Sequence, residues 1–360
     1  MGGALSIRPL QGGDKDGYSA LLHKDAGNLL YAAPPFLSFI ESVTAARVTV
    51  LVAEFDGEIV GALPYAMIEA PGVGRVINSL PWWGSHGSVV MDRNSLAAKP
   101  IRRALLARFA SDLEVLTPLS TTMILLPQEE PERALYEEIL RPTAIDGRIG
   151  QFTKLPEDSP DLPQRLEASF RQKTRNLVRK GLKQGFVETV SEEDWAWDFL
   201  HRTHAQNIAA LGGRSKPQTH FETLRRTVPP NMRRLSLAMN GAVPVAAMLT
   251  ISFNRTVEYI TPAIDILHRS RQPLSFLIFH GMIDAVQRGH RMWNWGGTWV
   301  DQAALHHFKT GFGAIDCPYS YLVRASAKGL EIFRARRREL GALFPYFYVY
   351  PYSALELPNE

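Results

Sequence analysis

The sequence predicts an α/β protein with mixed sheets, built as two tandem units on one plan. Three observations carry this. Strand-like and helix-like stretches alternate along the chain, the same order of elements recurs in each half, and a Pro- and acid-rich segment, LPEDSPDLP (155–163), lies between the halves. At 360 residues the chain exceeds one ordinary core, and 45% hydrophobic with 21% charged residues is a globular composition. The expected division is 1–160 and 161–360.

In the first half, ALSIRPL (4–10) reads as a short strand, and DKDGYSALLHKD and PPFLSFIESVTAA as helical stretches. RVTVLVAEF and EIVGALPYAMIEA flank Asp56-Gly57, a strong hairpin signal. RVINSLPWWGSHGSVV reads as a strand opening into a Gly-rich loop, 95–117 as a long helix, and TTMILLP as a strand. The second half is expected to begin with helices at 164–184 and 191–212. Then come the strands RRLSLAM, VAAMLTISF and TVEYITPAI, with turns at Asn240-Gly241 and Asn254-Arg255. The loop DILHRSRQP leads into the helix LSFLIFHGMIDAVQRG, and RMWNWGG ends the run as a strand.

Net charge is +4 and the pI near 9.1, which suits an anionic partner without requiring one. The single cysteine, Cys317, excludes an intramolecular disulfide and reads as a structural thiol. No apolar run reaches the roughly 18–20 residues of a membrane span, and the N-terminus lacks the pattern of a secretory signal. A cytoplasmic location is expected. His201 and His204 have no third ligand at metal-site spacing, so no metal is expected. There is no P-loop, and GSHG (84–87) is not a nucleophile elbow.

Three stretches stand out. In SFRQKTRNLVRKGLKQG, the residues Leu166, Phe170, Leu177 and Gly181 fall in one helical stripe. Between 165 and 183 there are seven basic residues and one acid, Glu167, which fits a solvated face or a phosphate-bearing partner. Aromatics are not interleaved with the cations, so no DNA partner is expected. The loop HRSRQPLS (268–275) follows a strand and opens a helix, where free N–H groups can meet phosphate; Arg269, Arg271, Gln272 and Ser275 lie there. Finally, WNWGGTWVDQAALHHFKTGFGA (293–314) sets Lys309 between Phe308 and Phe312, beside Gly311 and Gly313. This is either packing or a cation for an anion or oxyanion. His306 and Asp301 are nearby candidate bases, and Trp299 a candidate ligand contact.

With RQKTRNLVRKGLKQGFVE, DILHRSRQPLSFLIFHGMIDAVQRGHRMWNWGGT and HFKTGFG in view, the chain resembles the Fem-type branch of the GNAT superfamily of N-acyltransferases. The resemblance covers about 165–325 well, and the first half mainly through element order and LPWWGSHGSVV. It implies two tandem GNAT-like domains and acyl transfer to an amine on a saccharide or cell-envelope precursor. It implies Lys309 at the donor and reaction centre, and Arg171, Lys173 and Arg175 near the acceptor's phosphates. Beside these, His306 and Asp301 are expected at the reaction centre, Arg269, Arg271, Gln272, Ser275 and Phe308 at the donor, and Trp82, His86 and Trp299 at the acceptor. Acyl-CoA is the expected co-substrate, although the [QR]-x-x-G-x-[GA] loop that cradles its pyrophosphate is missing. Aminoacyl-tRNA is the alternative donor, and a non-catalytic anion- or RNA-binding member of the fold the alternative role.

Overall fold

The computed structural model describes residues 4–80 and 86–355. The chain forms two compact units, 1–149 with 318–360 and the continuous stretch 150–317. This differs from the division at 160/161: the second unit starts before the LPEDSPDLP segment, and residues 318–360 cluster with the first unit. The reason for the latter lies in the tail, where Phe344, Phe347, Val349 and Tyr350 are buried.

The first unit opens with β1 (Ser6–Pro9), α1 (Lys15–Lys24), α2 (Pro34–Thr44), β2 (Arg47–Phe55) and β3 (Glu58–Ala70). Asp56 (φ 51°) and Gly57 (φ 79°) supply the two positive φ angles of the β2–β3 turn. Next are β4 (Gly74–Asn78), β5 (Val90–Met91), α3 (Ala98–Leu116), β6 (Ser120–Ile124) and α4 (Arg133–Leu140). Strands β1 to β4 pair antiparallel in sequence order, and β4 then pairs parallel with β6. The apolar face of α3 packs on the sheet through Ile101, Leu105 and Phe109, against Leu63, Ile77 and Met123. Each of these buried side chains contributes about 1.5–3 kcal/mol relative to exposure.

Strand β7 (Ala144–Lys154) passes from the first unit into the second. There follow α5 (Leu162–Ser169), α6 (Gln172–Leu182), β8 (Val187–Val190), α7 (Asp194–Ala209) and α8 (Gln218–Thr227). After them come β9 (Arg233–Asn240), β10 (Val243–Phe253), β11 (Thr256–Ile264), α9 (Pro273–Gln287), β12 (Met292–Thr298) and α10 (Ala303–Gly311). Strands β8 to β11 pair antiparallel in order, and β11 pairs parallel with β12. Apart from the two-residue β5, the second unit therefore repeats the first in order, β8-α7-α8-β9-β10-β11-α9-β12 matching β1-α1-α2-β2-β3-β4-α3-β6. Strand β13 (Ile315–Ala325) returns the chain to the first unit, which ends with α11 (Ala327–Ala335) and α12 (Leu340–Leu343).

The single helix expected at 164–184 is two helices. Phe170 and Arg171 are extended (ψ 153° and 150°), which resets the helical phase. After the break the buried stripe runs Thr174, Val178, Gly181, and Leu177, expected inside, is only half-buried. Among the described residues no helix is long and apolar enough to cross a membrane.

Candidate active site

The parallel pair of the second unit is short. Strands β11 and β12 are paired from Thr256/Met292 to Glu258/Asn294, and then part while β11 runs on to Ile264 and β12 to Thr298. Two strands that part in mid-course leave backbone N–H and C=O groups facing a fork, and such groups need partners. One flank of the fork is aromatic, with Tyr259 and Trp295 ring centroids 5.0 Å apart and Phe308 and Phe312 packed beyond.

Each arm of the fork is gripped by a lysine amine. On the β12 arm, Lys309 Nζ donates to Thr298 Oγ1 (2.7 Å), the Gly297 carbonyl (3.2 Å) and, more weakly, the Gly296 carbonyl (3.4 Å). Lys309 sits in the last turn of α10, only 4% exposed, and burial lowers its pKa from the usual lysine value to about 8. On the β11 arm the ladder to β10 bulges, with Leu249 opposite Thr261 and Thr250 opposite Tyr259, which leaves Ile260 over. Lys216, in the loop between α7 and α8, donates to the Ile260 carbonyl (3.0 Å) and Thr261 Oγ1 (2.6 Å). Burial lowers Lys216 to about 7. Burial, with the Lys216 charge nearby, lowers His204 to about 4 and His220 to about 2, so both imidazoles are neutral.

A chain of hydrogen bonds leads from Lys309 outward. Thr298 Oγ1 donates to Gln151 Oε1 (2.9 Å), and Gln151 Nε2 donates to Asp316 Oδ1 (3.3 Å). Asp316 also faces His306 Nε2, 2.9 Å from both carboxylate oxygens, and since an ionised carboxylate only accepts, His306 carries its proton on Nε2. Lys309 and His306, two candidates from the sequence, thus stand at opposite ends of one network. Asp301 does not join it, being exposed in the turn before α10.

The glycines around Lys309 allow a close approach of backbone, but to the protein itself. A Cβ on Gly311 would lie 2.3 Å from Thr174 Oγ1, and the Gly311 carbonyl accepts from Arg171 N (2.9 Å). The start of α6 is therefore seated on the end of α10. Arg171 and Lys173 are exposed there. Arg175 is turned back, its guanidinium donating to the Phe170 carbonyl (2.8 Å) and to Gln172 Oε1.

The residues expected to cradle a donor phosphate are engaged elsewhere. Arg271 donates to Gln184 Oε1 (3.0 Å) and the Gln184 carbonyl (3.1 Å), and stacks over Phe186 (4.9 Å). Ser275 Oγ donates to Gln272 Oε1 (3.1 Å). Helix α6 crosses the first turn of α9, where a Cβ on Gly181 would meet the Gln272 carbonyl at 2.8 Å and Phe276 Cβ at 3.2 Å. Phe308 belongs to the aromatic core, and only Arg269 of this set is exposed. These residues do not fit a CoA pyrophosphate at the start of α9, because helix α6 and its own side-chain bonds occupy that corner.

On the acceptor side, Trp299 is 49% exposed. His86 is buried in the first unit between Tyr31 (5.6 Å) and Tyr319 (4.4 Å), 3.3 Å from the Leu125 carbonyl, and burial lowers its pKa to about 4. It is a core histidine rather than a surface contact. Trp82 lies outside the described residues. Among the described residues no His, Cys, Asp and Glu side chains are grouped to hold a metal. Lys216 was missed by sequence reasoning. It sits in a loop without periodicity, and the bulge it bonds to is more than forty residues away.

A family model described as an acetyltransferase (GNAT) domain matches residues 168–309, most of the second unit and both of its gripping lysines. The chain carries an acetyltransferase domain of the GNAT fold over these residues. Solved structures agree on the architecture. FemX aligns with a TM-score of 0.71 at 11% identity, over 88% of this chain and 97% of that one. L-PGS from Bacillus licheniformis gives 0.53 at 12%, over 84% and 91%. A tandem GNAT protein from the clavulanic acid biosynthesis pathway gives 0.51 at 13%, over 89% and 98%. Comparison with the curated proteins found no similar sequence. The mixed α/β fold in two GNAT-like units is thus as the sequence predicted, and FemX is among the structures that share it.

Proposed function

We propose that this protein forms an amide by moving an acyl group from an activated ester to an amine at the fork of β11 and β12, and that the ester is carried on RNA, as in an aminoacyl-tRNA, rather than on CoA. The observation that favours this donor over the acyl-CoA first expected is the seat of α6 on α9. The phosphate corner is filled by Gly181 against Gln272, while α6 turns exposed cations, Arg171, Lys173, Lys180 and Lys183, toward solvent. A cationic helix face suits a phosphate backbone that runs past the fork.

In the reaction a neutral amine attacks the ester carbonyl, a C–N bond forms, and the carbonyl oxygen takes negative charge. Collapse breaks the C–O bond, and the proton lost by nitrogen ends on the leaving hydroxyl. Backbone N–H groups on the unpaired stretches of the fork are suited to that oxyanion, and one well-placed donor contributes about 3–4 kcal/mol. Lys216 and Lys309 are positioning residues in this reading, holding the two arms at a fixed opening. The acceptor is an amine on an anionic saccharide or envelope precursor.

The test is a thermal-shift comparison of acetyl-CoA, an aminoacylated RNA minihelix and the same minihelix uncharged, followed by transfer assays with amine acceptors. Stabilisation by the RNAs, weakened steeply by salt and by Arg171→Glu with Lys173→Glu, is expected. Stabilisation by acetyl-CoA alone would return the donor to CoA.

A further inference from the structure

Four connections of the second unit meet at one end of its sheet, and hydrogen bonds tie them together. Asp265, just after β11, donates its N–H to the Val245 carbonyl (2.9 Å), which sets the β11–α9 loop beside the β9–β10 turn. Arg271 of that loop holds Gln184, just after α6, and lies 3.5 Å from Asn240 Oδ1 in the same turn. Asn207, near the end of α7, exchanges two bonds with the Ile264 backbone (2.8 and 2.9 Å). The α7–α8 loop therefore leaves the sheet at the last residue of β11 and comes back at Lys216, which bonds Ile260.

Each connection holds aliphatic side chains out in water. Leu182 is 40% exposed, Leu211 81%, Val243 57%, Ile266 61% and Leu267 82%. Exposed aliphatics scattered singly are ordinary, but five around one end of a sheet form a patch. The most prominent pair is fixed in place, since the Asp265 carboxylate accepts from Leu267 N (3.0 Å) and faces His268 Nδ1 (3.1 Å). The charge around the patch is of one sign. Lys183, Arg214 and Arg269 are exposed on the same connections, and Asp265, already engaged, is the one acid in 183–186, 210–217, 240–243 and 265–272.

We propose that this end of the second unit docks on an anionic lipid bilayer. Ile266 and Leu267 enter the boundary between headgroups and acyl chains, Leu211 and Val243 flank them, and Lys183, Arg214 and Arg269 meet the lipid phosphates. Aliphatic tips ringed by cations match such a surface in both polarity and charge. RNA would use the cations but leave the aliphatics in water. Strands β11 and β12 also part toward this end, so docking brings the mouth of the fork to the bilayer. The docking uses no step of the transfer reaction, so failed vesicle binding leaves the transfer reading standing, and failed transfer leaves the docking standing.

The test is co-sedimentation of the full chain with vesicles of phosphatidylcholine alone and of phosphatidylcholine mixed with phosphatidylglycerol. Wild type should bind the mixed vesicles and not the neutral ones. Ile266→Ser with Leu267→Ser should weaken binding at least about tenfold. Arg214→Gln with Arg269→Gln should weaken it by about fivefold for each cation removed, and added salt should weaken wild type likewise. Leu267→Trp, which keeps an apolar tip, should still bind and gain fluorescence that brominated acyl chains quench. Val115→Ser, at an exposed aliphatic of the first unit, should bind as wild type does. No binding of wild type to mixed vesicles, equal binding by the double serine variant, or the same loss in Val115→Ser each overturns the proposal. Binding of an RNA minihelix that falls in the double serine variant, without vesicle binding, would assign these loops to RNA instead.

Discussion

Lys309 Nζ and Thr298 Oγ1 are joined at 2.7 Å, so the last turn of α10 is bolted to the end of β12 through a buried ammonium. A lysine in this setting is held by three acceptors, and its first consequence is for the shape of the strand end. The same bond starts the network that runs through Gln151 to Asp316 and His306.

Lys309→Met is therefore expected to act on stability as well as on transfer. It strands the acceptors at the end of β12, which costs about 1–3 kcal/mol, and transfer should fall with it. The pH dependence has a definite sign. The folded pKa, about 8, is below the ordinary lysine value of 10.5, so between them the unfolded chain holds a proton that the folded chain has released. Stability of wild type relative to Lys309→Met should rise from pH 8 toward pH 10.5. Urea unfolding of both proteins across that range reads this directly, and a gap that narrows with pH would contradict the buried site.

Gln151→Leu removes the link between the two ends of the network at a fully buried position. A loss of about 1–3 kcal/mol is expected. The loss should be non-additive with Lys309→Met by about 0.5 kcal/mol or more, because both changes break one chain. A double-mutant cycle by chemical unfolding measures the coupling, and strict additivity would show that the two bonds are independent.

Gly181→Val tests the seat of α6 on α9. The atom in the way is the Gln272 backbone carbonyl, 2.8 Å from an added Cβ, which cannot swing aside as a side chain would. Overpacking of about 1–3 kcal/mol should follow, seen as a lower Tm. An unchanged Tm would mean that the helices separate at no cost.

Arg148→Met tests the attachment of the C-terminal segment. Arg148 is buried over the rings of Tyr321 (4.6 Å) and Tyr348 (5.6 Å) and paired with Asp146 (2.5 Å), which in turn accepts from the Tyr348 hydroxyl. Removing one partner of such a set leaves Asp146 with its charge and fewer donors, at a cost of several kcal/mol. Limited proteolysis should then cut within 344–355 well before wild type is cut there.

The hairpins and the two long helices after β4 and β11 were legible because their signals are local: Asp56-Gly57 at a turn, an apolar period along a helix. The break at Phe170 was not, since α5 and α6 read as one periodic run until the phase is tested against what each buries. HFKTGFG carries no clear helical signal, yet its residues up to Gly311 are the end of α10, and the need for Gly311 comes from Thr174, a residue far away in sequence. The cations of the 268–275 loop suggested phosphate, and only folding shows that Gln184 and Phe186 have already claimed Arg271. Trp293 and Trp295 are both buried, and His86, which read as a ligand contact, is buried too.

The discontinuity of the first unit has a consequence for biosynthesis. Residues 150–317 are one unbroken stretch, whereas the unit around them needs residues from 318 onward to be complete. As the chain leaves the ribosome, the later-starting unit is the earlier to have all its parts, against the usual N-terminal-first order of domain folding. Residues 1–149 must wait, with a sheet edge at β6 that β13 covers, until residues 318–325 have been made. A nascent chain stalled soon after residue 317 would expose that edge, and chaperone contact should concentrate there.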